Sequence, residues 1–499
     1  MPAQLTTRAQ VNGYRFLLRR LQHALIRGDS RMIHDPMRGQ IRAMSVGLVV
    51  AILISGAAGV LAFFKPTPNF GSSTIMASKA DGTMFVRIGE HLHPVLNLAS
   101  ARLITGKPDS PAQVDEKFLD TVARGPLVGI VGAPNGIHGG DDMRMSAWTV
   151  CDSAQSPSAE QAGAGTVETT VLGNDPVLGG DIRPAASDEA ILASSDGASM
   201  FLIYNGVRAA IDPHNRVLFN ALRLGNATVK TVSPGLLNAF PLVEPIVPII
   251  LDGIGEPTAF LPPPYRVGSL ARTVDSTGEQ LFVVLPTGLQ PVSATAADIL
   301  RYGNPRFSSA GEPTDLSPAR LSTVPIVHDL PVDHYPAAVR RFISGDGVLC
   351  MSWQRENSAS APSTRVLVGT RLPLPDTAQP VRLASADGGG PGLDSVYLRP
   401  GTGEYVQVTG GQGAGPPTGQ LFYVSDLGLR FHIADAPTAS ALGVVGIKTG
   451  AGTSNSAQPA PWSVVGLLPP GPELSKPAAL IAHDGIAADP AGQILSQSK

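Results

Sequence analysis

Residues with the chemistry to form a site are few in this 499-residue chain, and they are scattered. His91 and His93 make an H-x-H pair, which on a strand puts both imidazoles on one face. A metal site needs a third ligand, and none is spaced to supply it, so solvated strand histidines are the simpler reading. His138-Gly139-Gly140-Asp141-Asp142 could attract a cation but reads more simply as a polar loop. Gly446-Ile447-Lys448-Thr449 comes nearest to a phosphate loop, but Ile447 separates Gly446 from Lys448 and breaks the G-x-x-x-x-G-K-[ST] cradle. There is no G-x-S-x-G elbow and no H-E-x-x-H. No catalytic, cofactor-binding or metal-binding residue is named on these grounds, and no cofactor is expected.

The two cysteines say more. Cys151 lies in SAWTVCDS and Cys350 in GVLCMSWQ, with Trp148 three residues before one and Trp353 three after the other. In an antiparallel pair centred on the cysteines the tryptophans would face each other. Three is odd, so they would lie on the sheet face opposite the sulfurs. An isolated pair in an oxidising compartment forms a bridge by default; two free buried thiols are the alternative.

The elements that must position these residues follow from composition. Hydrophobic residues make up 43% of the chain, which excludes wholesale disorder, and the length suggests about three domains. Gly and Pro, 55 and 45 residues, favour short strands and many turns over a mainly helical protein. A net charge of −3 excludes a generally basic nucleic-acid binder, and no nucleic-acid partner is expected.

That charge is unevenly spread. Residues 43–64, AMSVGLVVAILISGAAGVLAFF, carry no charge and are long enough to cross a bilayer core of about 30 Å. A buried core helix would need a comparable apolar partner, which the chain lacks, and 42 preceding residues are too many for a signal peptide. The stretch reads as a retained single-pass anchor. Residues 1–42 hold eight Arg and a net charge of +6, leaving −9 on residues 65–499, so the positive-inside rule places the N-terminus in the cytoplasm and the body outside.

Within the basic foot, Thr6 or Thr7 can cap a helix, and Gly28 can stop it. Val11, Tyr14, Leu18, Leu21 and Leu25 fall on one stripe, with Arg15, Arg19 and Arg20 mostly off it. The stripe suits either the lipid bilayer surface or a partner's helix.

The body holds a degenerate repeat: an aromatic-led strand, a Gly turn, a second strand and a short helix ending in Gly. Its copies run from Phe85 to Gly106, Phe201 to Gly225, Phe282 to Gly303 and Phe422 to Gly443. Gly89, Gly206, Gly288 and Gly428 supply the turns. Strand-like runs between the copies are Pro126–Ala133, Ser146–Cys151, Gly347–Trp353, Thr364–Gly369 and Ser395–Pro400. They read as one central domain interrupted by the second and third copies. The expected fold is mainly β with short helices, an α+β body of four β-rich repeats around a discontinuous central β domain, behind one N-terminal transmembrane helix. The expected division is a cytoplasmic helix (1–42), the span (43–64), repeat one (65–118), the first central half (119–190), repeat two (191–260), repeat three (265–325), the second central half (326–412), repeat four (418–475) and a tail (476–499), with linkers at 257–264 and 409–417.

With these residues in view, the chain resembles the EccB family of type VII (ESX) secretion subunits. The segments that carry the resemblance are TTRAQVNGYRFLLRRLQHAL (residues 6–25), MIHDP (32–36), HPVLNLASARLITG (93–106), GPLVGIVGAP (125–134), WTVCD, CMSWQR and LLPPGPELSKPAALIAHD (467–484). The resemblance implies an inner-membrane protein with a cytosolic N-terminus, four repeats around a central periplasmic domain, and a bridge between the central cysteines. It also implies EccC, EccD and EccE subunits as partners, self-association through the body, and a mycosin protease as periplasmic neighbour. The family is often labelled an ATPase, and ATP would be a ligand here only if that label holds. Three readings compete: an assembly-mediating subunit, an enzyme, and an anchored cell-wall binder. Dispersed aromatics, 5% of the chain, weaken the last.

Overall fold

The computed structural model describes residues 7–31, 36–63, 73–137, 145–154, 167–276, 278–304, 312–339, 341–343, 347–356, 359–388, 390–410, 417–444, 448–449, 452–453 and 457–486. The chain divides into two units, Met1–Ser73 and Thr74–Lys499.

The first unit is helical. Its first helix, Arg8–Arg27, starts at Thr7, whose N–H donates to Gln10 Oε1 at 3.0 Å. It stops at Gly28 in the left-handed region (φ 67°), where the Gly28 N–H donates to the Ala24 carbonyl. The second helix, Pro36–Phe63, is longer than the uncharged stretch and includes Arg38 and Arg42. Its 22-residue segment Gly39–Val60 has a mean hydropathy of 2.2 and is long and apolar enough to cross a membrane.

In the second unit, four sheets share one topology. Three antiparallel strands form a meander, a helix follows, and a fourth strand returns parallel to the first. In copy one these are Ile75–Ser78, Met84–Ile88, His91–Pro94, the helix Leu98–Thr105 and Ala112–Val114. Copy two uses Glu189–Ser194, Phe201–Tyr204, Val207–Ile211 and Val229–Thr231. Copy three uses Leu270–Asp275, Gly278–Val284, Leu289–Val292 and Thr314–Asp315. Copy four uses Gly403–Thr409, Leu421–Ser425, Arg430–Ile433 and Gln458–Pro461. The sequence repeat captured only the second strand, third strand and helix of each copy. The helix begins the same way in all four: Asn97, Asn215, Ser293 and Asp435 accept the N–H three residues on, from Ser100, Leu218, Ala296 and Thr438. The turn glycines differ in their reason. Gly89, Gly206 and Gly428 have positive φ, whereas a Cβ at Gly288 would meet the Pro325 carbonyl oxygen at 2.4 Å.

A second short helix and a return segment close each copy. The helices open at Asp115, Ser233, Ser317 and Pro461. Eight residues later the carbonyls of Ala123, Pro241, Pro325 and Pro469 accept the N–H of the third strand, from Leu92, Arg208, Leu289 and Arg430 at 2.8–3.1 Å. In copies one, three and four the N–H two residues further on donates back, from Gly125, Val327 and Gly471 to the carbonyls of Leu92, Leu289 and Arg430. The return segment satisfies backbone groups on an edge that would otherwise stay open.

The central sheet has seven strands, in the order Val381–Arg382, Ser395–Tyr397, Val167–Leu172, Met145–Ala154, Val348–Glu356, Ser363–Gly369 and Ile182–Pro184. Met145–Ala154 and Val348–Glu356 pair antiparallel with Cys151 opposite Cys350 and Trp148 opposite Trp353. The tryptophans belong to one buried cluster and the cysteines to another, on opposite faces. The tryptophan face packs against copy two (Ile203, Leu236, Phe240) and copy four (Val406, Phe422, Val464). Copies one and four share a second core, where the helices Leu98–Thr105 and Ala436–Leu442 pack. Copies two and three share a third, where the helices Arg216–Ala221 and Ala294–Gly303 pack.

Four sequence-based placements change. Gly403–Thr409, read as the end of the central domain (326–412), is the first strand of copy four; a strand that runs on from the central sheet carries no local mark of the sheet it joins. Pro126–Ala133 is not in the central sheet: Leu127–Val128 pairs with Ala482–His483, and Val128 and Ile130 are buried in the core shared by copies one and four. Its run of apolar residues cannot reveal which core it joins. Residues 476–483, read as tail, form a helix and this strand, and Ala479 is buried in the same core. The linker at 257–264 is packed, with Leu261 buried among Tyr265, Phe282 and Leu316.

Cys151 and Cys350 are disulfide-bonded and 199 residues apart in sequence. A loop that long is expected to contribute about 5 kcal/mol in the chain-entropy treatment. Cys350→Ser should therefore lower the unfolding temperature of the body clearly while leaving its strand content by circular dichroism unchanged. Alkylation before reduction, read by mass spectrometry, should find neither thiol free.

Candidate functional site

The central strand pair positions the groups that join the body together. Asp152 follows Cys151 on the tryptophan face and is only 1% exposed. Its Oδ2 accepts from the Ser233 N–H at 2.6 Å, and its Oδ1 accepts from Ser233 Oγ at 2.8 Å and Thr169 Oγ1 at 3.1 Å. Ser233 in turn caps the second short helix of copy two by accepting from the Leu236 N–H. One carboxylate thus ties two strands of the central sheet to a neighbouring copy. Burial pushes its pKa up to about 6, against the pull of the Ser233 and Thr169 hydrogen bonds and of Lys230.

A second polar joint is at Glu189, the first residue of the sheet of copy two. Its buried carboxylate accepts from Arg183 at 2.7 and 3.0 Å, from the Ala186 N–H at 2.8 Å, and from Arg341. The Arg183 hydrogen bond leads in holding its pKa down to about 2. Neither joint was named from sequence. The signal for the first was a charged residue directly after a cysteine in an apolar strand, together with the Ser-Pro pair at 233–234. Glu189 meets Arg341 across 152 residues and leaves no local signal.

The other candidates are scattered. His93 Nδ1 lies 3.0 Å from the Pro126 carbonyl oxygen, and the His91 and His93 rings stand 6.4 Å apart. Among the described residues no group of three or more His, Cys, Asp or Glu is placed to hold a metal ion. Lys448 and Thr449 pair with Thr453 and Gly452 in a small hairpin; Gly446, Ile447 and His138–Asp142 lie outside the described residues. On the first helix, Tyr14 (66% exposed), Leu18, Leu21 and Leu25 (78%) lie open to solvent, and Arg15, Arg19 and Arg20 are exposed as well. Among the described residues of the first unit nothing covers that stripe.

A family model described as the type VII secretion system ESX-1 transport TM domain B matches residues 3–488. The chain belongs to the EccB family. Among EccB relatives it is 36% identical to a Mycobacterium tuberculosis protein named ESX-3 secretion system ATPase EccB3, over 97% of this chain and 90% of that one. A chain from a solved intact ESX-5 inner membrane complex matches 99% of both chains, with a TM-score of 0.68 and 31% identity. A chain of a solved EccB3 dimer from the ESX-3 core complex matches 82% of this chain and 100% of its own, with a TM-score of 0.67 and 31% identity. The α+β fold, with one candidate membrane-spanning helix among the described residues, near the N-terminus, is an EccB fold.

The raised pKa of Asp152 fixes the sign of a pH effect. The folded protein binds this proton more tightly than the unfolded chain does. The Asp152 contribution to stability is therefore fully present below about pH 4 and is lost as pH rises to about 6. Asp152→Asn should remove that slope. The stability of the native protein relative to the variant, from chemical denaturation, should fall by up to roughly 3 kcal/mol between pH 4 and pH 7. A difference that does not change with pH would contradict the assignment.

Proposed function

We propose that this chain is a structural, assembly-mediating subunit of a type VII (ESX) secretion inner-membrane complex. The observation that carries the reading is the match, over 99% of its length, to a chain of the solved ESX-5 inner membrane complex. In this reading the helix Pro36–Phe63 anchors the chain, and the excess of arginine before it keeps the first helix in the cytoplasm and the body in the periplasm. The body consists of four repeats around the central domain and holds protomers together. The EccB3 dimer supports self-association. EccC-, EccD- and EccE-like subunits and a mycosin protease are the proposed partners.

The exposed stripe of Tyr14, Leu18, Leu21 and Leu25 is the proposed contact with a partner's cytosolic helix, flanked by Arg15, Arg19 and Arg20. Leu18→Asp combined with Leu21→Asp should leave the protein inserted in the membrane but reduce its co-purification with partner subunits at least tenfold. Undiminished co-purification would assign the stripe to the lipid surface.

The name of the relative includes ATPase. We assign ATP hydrolysis to EccC-like partners, because the segment around Lys448 lacks the glycine spacing of a phosphate loop. Purified full-length protein should show no ATP turnover above a mock preparation. Turnover that survives repurification and falls in Lys448→Ala would restore the enzymatic reading.

A further inference from the structure

Between the central sheet and copy two lies a cleft of about 610 Å³. Strand register decides which side chains form it. On the central sheet Leu349 is directly opposite Val368, and Val368 is directly opposite Arg183, so the three make one row on the tryptophan face. On copy two Lys230 is opposite Ala193, which shares a face with Ile191. Ile343 packs on that same face, with its N–H donated to the Ala190 carbonyl. The row of Leu349, Val368 and Arg183 is one wall of the cleft, and Ile191, Ile343 and Lys230 are the other. Leu349, Val368 and Ile191 are buried, so the inner end is apolar. Arg183 is half-exposed, and with Asp181 and Thr370 it forms an open rim.

The polar groups on these walls are mainly donors. Arg183 donates from Nη1 to Glu189 and to the Pro184 carbonyl, and from Nη2 to Glu189. Its Nε–H and second Nη2–H meet no acceptor among the described residues. Lys230 Nζ donates to the Gly347 carbonyl at 3.2 Å, which holds the ammonium at the opposite wall. The acids that face these cations are engaged: Glu189 by Arg183 and Arg341, Asp181 by Arg371, and Asp152 by Ser233 and Thr169. Among these groups Arg183, Lys230, Arg341 and Arg371 stand against Glu189, Asp181 and Asp152, which leaves one positive charge in excess. An apolar floor beneath cationic donors complements an anionic head on an apolar body. We propose that this cleft binds small amphipathic carboxylates, with the hydrocarbon part against Ile191, Leu349 and Val368 and the carboxylate between Arg183 and Lys230. The volume falls within the range of about 300–1,000 Å³ usual for small-molecule sites. A ligand there touches both sheets, so it also holds copy two to the central sheet.

The probe is 4-phenylbutyrate, compared with its neutral amide. Full-length protein is held in phosphatidylcholine nanodiscs, and empty nanodiscs measure what the lipid itself takes up. Saturation-transfer NMR should give a dissociation constant of about 1 mM for a ligand this small. The amide should bind about threefold or more weakly, because it lacks the charge-assisted hydrogen bonds. Ile343→Trp fills the cleft from a half-buried position and should abolish binding. Lys230→Gln should weaken the carboxylate by about threefold and leave the amide unchanged, and Lys230→Arg should restore the carboxylate. Arg183 stays in place because it also clamps Glu189. Circular dichroism checks the folding of each variant, and the lysine pair decides the matter if Ile343→Trp does not fold. No binding beyond empty nanodiscs at about 10 mM probe overturns the proposal. So does equal affinity for carboxylate and amide, or undiminished carboxylate binding in either folded variant, Ile343→Trp or Lys230→Gln.

Discussion

The body depends on one antiparallel strand pair whose members lie 199 residues apart. Pairing segments so distant in sequence requires closing a long loop before any contact repays the entropy lost. The chain holds this pair at two levels. The disulfide fixes the register on one face, and the opposed, buried side chains of Trp148 and Trp353 fill the other. A slip of one strand by one residue would carry its tryptophan to the cysteine face and would disturb the seat of copies two and four on the sheet. The second and third copies lie between the two strands in sequence, so they can fold as one insertion around their own shared core.

Each copy also settles a problem of edges. A three-stranded meander with a parallel fourth strand leaves the third strand open, and open edges invite pairing with other chains. The return segment closes that edge at the same distance from its helix cap in all four copies. Proline serves there in copies two, three and four because only its carbonyl is needed as an acceptor. The copies then meet in pairs, one with four and two with three, through their helices. Side chains in such cores need only volume and apolarity, which is why the four sequences have diverged while their hydrogen-bond spacing has not.

This explains what could be read from the sequence. The helix cap at Thr7, its stop at Gly28, the cysteine register and the turn glycines were legible because each is local or rests on residue types with few alternatives. The first and fourth strands of the copies were not. Ala112–Val114 has three residues and Thr314–Asp315 two, too short for alternation to register. The return segments carried a readable Ser-Pro signal at 233–234 and 317–318, followed by proline eight residues after each serine, but copies one and four lack the serine. Glu189 with Arg341 is a contact between distant segments, and no periodicity encodes it.

The polar joints have a physical consequence that the apolar cores do not. Apolar burial is non-directional and does not by itself fix the orientation of one surface on another. Asp152 does not: its two oxygens accept one backbone N–H and two hydroxyls in a fixed geometry, and displacing copy two would leave a buried carboxylate unsatisfied. Glu189 acts in the same way at another point of copy two, clamped by Arg183 from one segment and Arg341 from another. The copy inserted between the two central strands is therefore held in orientation by directional bonds as well as by packing. A subunit that must present fixed surfaces to neighbours gains from that rigidity, since a repeat free to rotate on its core would lose ordering entropy at every contact it made.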